Sequence, residues 1–171
     1  MKKLFCLVAV FLISAPLYAQ LPVELAPDQY ALLESDDPQL AANKKLVFDF
    51  WLEVFQTRDM SKAPDYMKED YMQHNPIAAT GRKPFMDIFG SFPKQPRKNT
   101  IDNLVSIVAE RDLVVLGFKW ECIDPRDETK KFTTTWFDML RIEDGKIAEH
   151  WDFGTVRGQD NPADCNTGGM F

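Results

Sequence analysis

An α+β domain is what this sequence predicts, and three observations predict it. The first half of the chain carries helical patterns. The second half carries four β-rich segments separated by short turns, so helices come first and an antiparallel meander follows. The length of 171 residues, with 45% hydrophobic and 27% charged, suits one globular core.

The first element lies outside that core. Lys2 and Lys3, the apolar run Leu4 to Ala15 and the ending "PLYAQ" have the form of a secretory leader cleaved after Ala19. The apolar run is too short to span a membrane, so residues 1–19 are expected to be removed and the mature chain to be secreted or periplasmic. Residues 20–40, "QLPVELAPDQYALLESDDPQL" with Gln20 first, are broken by prolines and acids and read as an arm. Residues 41–155 are assigned to the domain and 156–171 to a turn-rich tail.

Within the domain, "PQLAANKKLVFDFWLEVFQTRD" spaces Leu46, Val47, Phe50, Leu52, Val54 and Phe55 as a helix that is apolar over most of its girth. Ser61 and Pro64 mark the start of a second helix through "PDYMKEDY". Asn75-Pro76 ends what precedes it, because a residue before proline is pushed out of the helical region. Pro84 to Phe89 reads as a third helix closed by Gly90. The segments "TIDNLVSIVAE", "DLVVLGFKWECID", "KKFTTTWFDMLRIE" and "GKIAEHWDF" are strands, divided by turns at Glu110 to Asp112, Asp124 to Thr129 and Asp144-Gly145.

Charge excludes some partners. The formal charge of −6 becomes −8 once Lys2 and Lys3 are removed, which argues against nucleic acid or an anionic membrane. The run "PKQPRK" is too short to change that. Leader cleavage also leaves two cysteines, Cys122 and Cys165, in a compartment that permits oxidation. A bridge between them would contribute about 3–4 kcal/mol in the chain-entropy model; a buried thiol plus a tail thiol is the other arrangement open to them.

"QHNP", the helix opening at Gly81 and above all "FDMLRIEDGKIAEHWD" resemble the SnoaL-like branch of the nuclear-transport-factor-2-like (NTF2-like) superfamily, over roughly Ala41 to Phe153. The resemblance implies a cone: a curved antiparallel sheet wrapped against about three N-terminal helices, with a cavity between them. It implies a small apolar or carbonyl-bearing ligand, no cofactor, and frequent homodimers. Similar proteins include polyketide cyclases, isomerases, epoxide hydrolases, dehydratases and pure binding modules, so fold alone does not decide function. Relatives often carry histidines on the strand that here reads "VVLGFKW", where Gly117 and Lys119 occupy the expected positions.

The hairpin "EDGK" fits two geometries. A two-residue Asp-Gly turn pairs Ile142 with Ile147 and sets Asp138 opposite Trp151. A three-residue bulged turn pairs Ile142 with Lys146 and sets Asp138 opposite His150. Glu143 before Asp-Gly favours the bulged form, which projects Asp138, His150 and Asp152 from one face beside Trp136. The resemblance implies that Asp138 points inward as general acid/base, among aromatics such as Trp120, Trp136, Phe118 and Phe50 that raise its pKa.

His74 is expected at the cavity mouth as partner of Asp138, with His150 and Asp152 behind them. Asn75 and Tyr71 are placed to polarise a carbonyl. Each also has a plainer part: His74 as a loop staple, Asn75 as a turn former, Tyr71 and the tryptophans as core, His150 as an exposed edge residue. No phosphate loop, nucleophile elbow or zinc spacing occurs, and no metal is expected.

Overall fold

Helix α1 (Pro38–Phe50) begins where Asp37 caps it, its carboxylate accepting from the backbone N–H of Gln39 at 2.8 Å, with Pro38 in the first turn. In this computed structural model, which describes residues 21–152 other than 77, 125 and 126, α1 passes directly into a wider π turn over Trp51–Phe55. That turn rotates the helix face. It explains why the apolar spacing of this segment fits no single stripe: Val47, Phe48, Phe50, Leu52 and Val54 are all nearly or fully buried.

A short helix α2 (Ala63–Tyr66) follows, then strand β1 (Met67–Gln73), helix α3 (Arg82–Gly90), and strands β2 (Leu104–Glu110), β3 (Leu113–Asp124), β4 (Asp127–Glu143) and β5 (Lys146–Asp152). The sheet runs β1-β5-β4-β3-β2. The four strands expected from the sequence are present and antiparallel.

The second expected helix is corrected: it stops at Tyr66, and "MKEDYMQ" is strand β1, parallel to β5. The sheet is therefore mixed rather than wholly antiparallel. Burial of Met67 and Tyr71, four residues apart, fits a strand's alternation as well as a helical turn, which is why the pattern misled.

The hairpin turn is the tight form. Asp144 (φ 51°) and Gly145 (φ 70°) are both left-handed, and Glu143 pairs with Lys146 and Ile142 with Ile147, as a two-residue turn requires. The expected bulge is present but displaced into the strand, between Arg141↔Glu149 and Ile142↔Ile147, leaving Ala148 as the extra residue. As a result Asp138 lies opposite Asp152 and Leu140 opposite His150; the Ile142–Ile147 pair of the two-residue turn is observed, but neither partner expected for Asp138, Trp151 or His150, is. The displaced bulge nevertheless returns Asp138, His150 and Asp152 to one face.

The expected arm lies against the edge strand. Ala26 N–H donates to the Leu104 carbonyl at 3.0 Å, and the Gln29 side chain makes two bonds to the backbone of Ile101, at 2.8 and 2.7 Å. These bonds occupy part of an otherwise open sheet edge. The core lies between α1, α3 and the concave sheet face, with Trp51 stacked on Phe118 (5.0 Å) and Phe50 against Phe85 (5.9 Å).

No described helix is long and apolar enough to cross a membrane. Residues 1–19, residues 156–171 and Cys165 lie outside the described residues; Cys122 is buried on β3.

Candidate functional site

Strand alternation sorts the candidates onto two faces. On the concave face β3 presents Leu116, Phe118 and Trp120, β4 presents Trp136, Asp138 and Leu140, and β5 presents His150 and Asp152. Gly117, where relatives were expected to carry histidine, faces the convex side. A Cβ there would come within 2.8 Å of Ser106 Oγ and 3.3 Å of the Phe137 ring.

The concave face closes a two-lobed cavity. The inner lobe, about 270 Å3, is walled by Phe50, Met67, Phe85, Phe89, Leu140 and Ile147, with Tyr71, Gln73, Asn75 and His150 as its polar groups. The outer lobe, about 620 Å3, carries Phe118, Trp120, Trp136 and Arg58. Trp51, Phe55, Phe92, Asp138 and Asp152 line both lobes. The two carboxylates thus sit at the waist.

Asp138 is 6% exposed, and its Oδ1 lies 2.8 Å from His150 Nε2. Burial pushes its pKa above the ordinary value, against the opposing pull of the His150 contact, and the charge of Asp152 adds to the rise. The Trp136 side chain also hydrogen-bonds the Asp138 carboxyl.

The protonation of this contact follows from its neighbours. Asn75 backbone N–H can only donate, and it donates to Gln73 Oε1 at 3.0 Å. Gln73 Oε1 is therefore the amide acceptor, and Gln73 Nε2 donates to the Tyr71 hydroxyl at 3.1 Å. His150 Nδ1, 3.1 Å from the same Oε1, must then carry its hydrogen. That leaves Nε2 facing Asp138 Oδ1 with room for one shared proton: Asp138 is either a carboxylic acid donating to Nε2 or a carboxylate accepting from it.

Asp152 completes the waist. Its Oδ2 accepts from Asn75 Nδ2 at 2.9 Å, while Oδ1 is buried with no hydrogen-bond partner among the described residues, an unmet acceptor at the waist. Burial raises the Tyr71 phenol well above its ordinary value, so it remains a neutral O–H donor. Asp138, His150 and Asp152 bring one potential ligand atom each within 4.8 Å. That donor set can hold a divalent cation only if Nε2 gives up its contact with Asp138.

His74 is not part of this cluster. Gln73 points inward, so the next residue points outward: the His74 ring stacks on Trp151 at 4.8 Å and 5°, and its Nε2 lies 3.2 Å from Glu149. Glu149 is already held by Arg141 at 2.6 Å, which keeps its pKa below the ordinary carboxylate value. The expected His74–Asp138 pairing is thus replaced by His150–Asp138, with Gln73 as the orienting group. Sequence reasoning missed Gln73 because it read "MKEDY" as helical. A strand through Tyr71 would have set Tyr71 and Gln73 on one face and His74 on the other. Trp120, expected inside, is 51% exposed and contributes to the outer lobe's rim.

A family model described as a SnoaL-like domain matches residues 49–150. A search of curated proteins by sequence returned no match. Among solved structures, a candidate SnoaL-like polyketide cyclase from Jannaschia sp. CCS1 superposes with TM-score 0.50 at 15% identity, covering 70% of this chain and 90% of that one. An LEH-like epoxide hydrolase from M. tuberculosis gives 0.48 at 16%, covering 70% and 86%. TsrD from Streptomyces laurentii gives 0.45 at 20%, covering 70% and 90%. At these identities the likeness concerns the fold.

Proposed function

Because the chain belongs to the SnoaL-like domain family, we propose that it is a cofactor-free acid/base enzyme acting next to a carbonyl of a small apolar molecule. The activity classes are aldol-type cyclisation, isomerisation or dehydration. The observation that carries this reading is the Asp138–His150 contact of 2.8 Å at the waist of an aromatic cavity. A buried carboxylate sharing one proton with an oriented imidazole is the equipment that proton transfer near neutral pH requires.

With the shared proton on His150 Nε2, Asp138 is the base. It removes a proton from the carbon beside the carbonyl; the C–H electron pair forms the C=C bond of an enolate and the C=O π pair moves onto the oxygen, which the Tyr71 hydroxyl stabilises. In an isomerisation Asp138 returns the proton to another carbon. In a cyclisation the enolate carbon attacks a second carbonyl, and the new alkoxide takes the proton from Asp138. Asp152 Oδ1 accepts a hydrogen bond from a ligand hydroxyl and fixes its pose.

The test follows α-proton exchange of 2-tetralone in D2O by NMR. Wild type accelerates exchange over buffer, and Asp138→Asn, an isosteric amide that cannot take a proton, returns it to the buffer rate with the fold intact by circular dichroism. Binding of the ketone without faster exchange would favour the alternative, a noncatalytic ligand-binding protein on the same fold.

We also carry forward export to a secreted or periplasmic location. Pairing of two copies is supported by the apolar row Val108, Val115, Met139 and Trp151 across the convex face. N-terminal sequencing of exported protein and sedimentation check these two statements.

A further inference from the structure

Arg58 stands apart from every other cation near the cavity. It follows the π turn with φ 61°, a left-handed position that glycine occupies most cheaply, and its side chain folds back over aromatic rings rather than into solvent. The guanidinium carbon lies 4.6 Å from the centroid of Phe55, 5.3 Å from Phe89 and 5.7 Å from Phe92. Nη1 is buried and has no hydrogen-bond partner among the described residues. No described carboxylate forms an ion pair with it there, whereas Asp59 beside it is held by Lys94 at 2.9 Å.

A buried, unpartnered donor is costly to leave unmet, and a desolvated guanidinium is matched best by a planar anion that takes two of its N–H groups. Arg58 lines the outer lobe together with Asp138 and Asp152. The cavity is therefore polar in a directed sense: acids at the sheet waist, a cation on the helical wall, aromatic rings between. Lys119 on β3 also lines this lobe, and Asp102 does so at a point where Lys98 neutralises it at 2.6 Å.

We propose that the ligand is an aromatic or polycyclic carboxylate whose carboxyl group is bound by Arg58 while its body fills the aromatic lobe and its reactive carbonyl reaches the waist. This rests on the reading of the cavity as the acid/base site given above. The cation–π contacts hold the guanidinium against the Phe55, Phe89 and Phe92 rings before the ligand arrives, so little side-chain freedom is lost on binding.

Isothermal titration with 2-naphthoate and with methyl 2-naphthoate tests it on the full protein. The two probes share a body and differ in charge. Wild type should bind the acid at least about tenfold more tightly than the ester, the scale of one charge-assisted pair. Arg58→Met, which keeps an apolar chain over the rings, should remove the preference by weakening the acid alone. Arg58→Lys should keep part of it, and Lys119→Gln most of it.

Equal affinity of wild type for acid and ester overturns the inference but leaves the acid/base site standing, because exchange of 2-tetralone needs no anion site. Loss of the preference in Lys119→Gln but not in Arg58→Met also overturns it. Binding of neither probe also overturns the inference, and exchange of 2-tetralone then decides the acid/base reading separately. Should Arg58→Met fail to fold, the wild-type comparison decides alone.

Discussion

The two histidines of this chain make the same kind of contact and meet opposite fates. His150 faces Asp138 across 2.8 Å with side-chain exposures of 13% and 9%; His74 faces Glu149 across 3.2 Å with 42% and 12%. His74 directly follows β1, the neighbour of the strand that carries His150, and the His74 N–H donates to the His150 carbonyl at 3.0 Å. What separates them is the pleat. One step of alternation sends His150 into an apolar cavity and His74 onto a face where Arg141 already claims its acid. Burial raises the pKa of Asp138; an arginine lowers that of Glu149. A carboxylate–imidazole pair becomes chemically useful only where its charge is costly enough to be shared.

The largest expected effect breaks this comparison at its acids. Asp138→Asn should lower α-proton exchange by about 10²- to 10⁴-fold, the range of a general acid/base group, while Glu149→Gln should leave it within about twofold. Equal losses in the two variants would mean that burial is not what distinguishes them. The next effect concerns the imidazoles: His150→Gln should lower exchange by about 10²-fold, since it can no longer hold the shared proton. Gln73→Met removes the acceptor of Nδ1–H and should cost about 1–3 kcal/mol of stability by leaving that donor unpaired, measurable by urea unfolding.

Much of this was legible in the sequence. The helix-then-meander order, the aromatic lining around Asp138 and the family-like "EDGKIAEHWD" led to the α+β cone and to the Asp138 neighbourhood. Two things were not. The register of the β4–β5 hairpin depended on where one extra residue was placed, and a turn pattern does not show that Asp144-Gly145 closes tightly while Ala148 takes up the slack. The segment Met67–Gln73 carries charges at Lys68, Glu69 and Asp70 that look like a helix surface. Its strand character comes from pairing with β5, a partner about 80 residues later that local propensity cannot see. From that second error came the misplaced His74 and the unnoticed Gln73.

A smaller effect sharpens the acid side through pH. Asp138 has its folded pKa above the ordinary 3.8. Below that ordinary value the acid is protonated in both folded and unfolded chains, and its burial carries no ionic penalty. As pH rises, the unfolded chain ionises first, so this contribution to wild-type stability declines until pH has passed the raised folded value. The amide of the Asp138→Asn variant does not titrate. The stability of that variant relative to wild type should therefore grow from about pH 4 upward and level off once pH has passed the raised folded value, read from urea midpoints at matched ionic strength. A relative stability that stayed flat with pH would mean that burial of Asp138 carries no net ionic cost.

The smallest expected effect belongs to His74. Replacing it with alanine removes a ring stacked on Trp151 at 4.8 Å and one exposed contact to Glu149, which keeps Arg141 at 2.6 Å, while Arg141 also holds Asp112. The acid is left partnered, so no charge is stranded, and the loss is confined to ring packing and a solvent-screened pair. A cost of about 0.5–1 kcal/mol is expected, visible as a modest fall in Tm, with exchange of 2-tetralone unchanged. The backbone bond from residue 74 to the His150 carbonyl survives the substitution, so His150 should stay in place. If exchange falls together with stability, the stacked ring must be fixing β5, and the two histidines would belong to one functional unit after all, coupled through the strand rather than through the cavity.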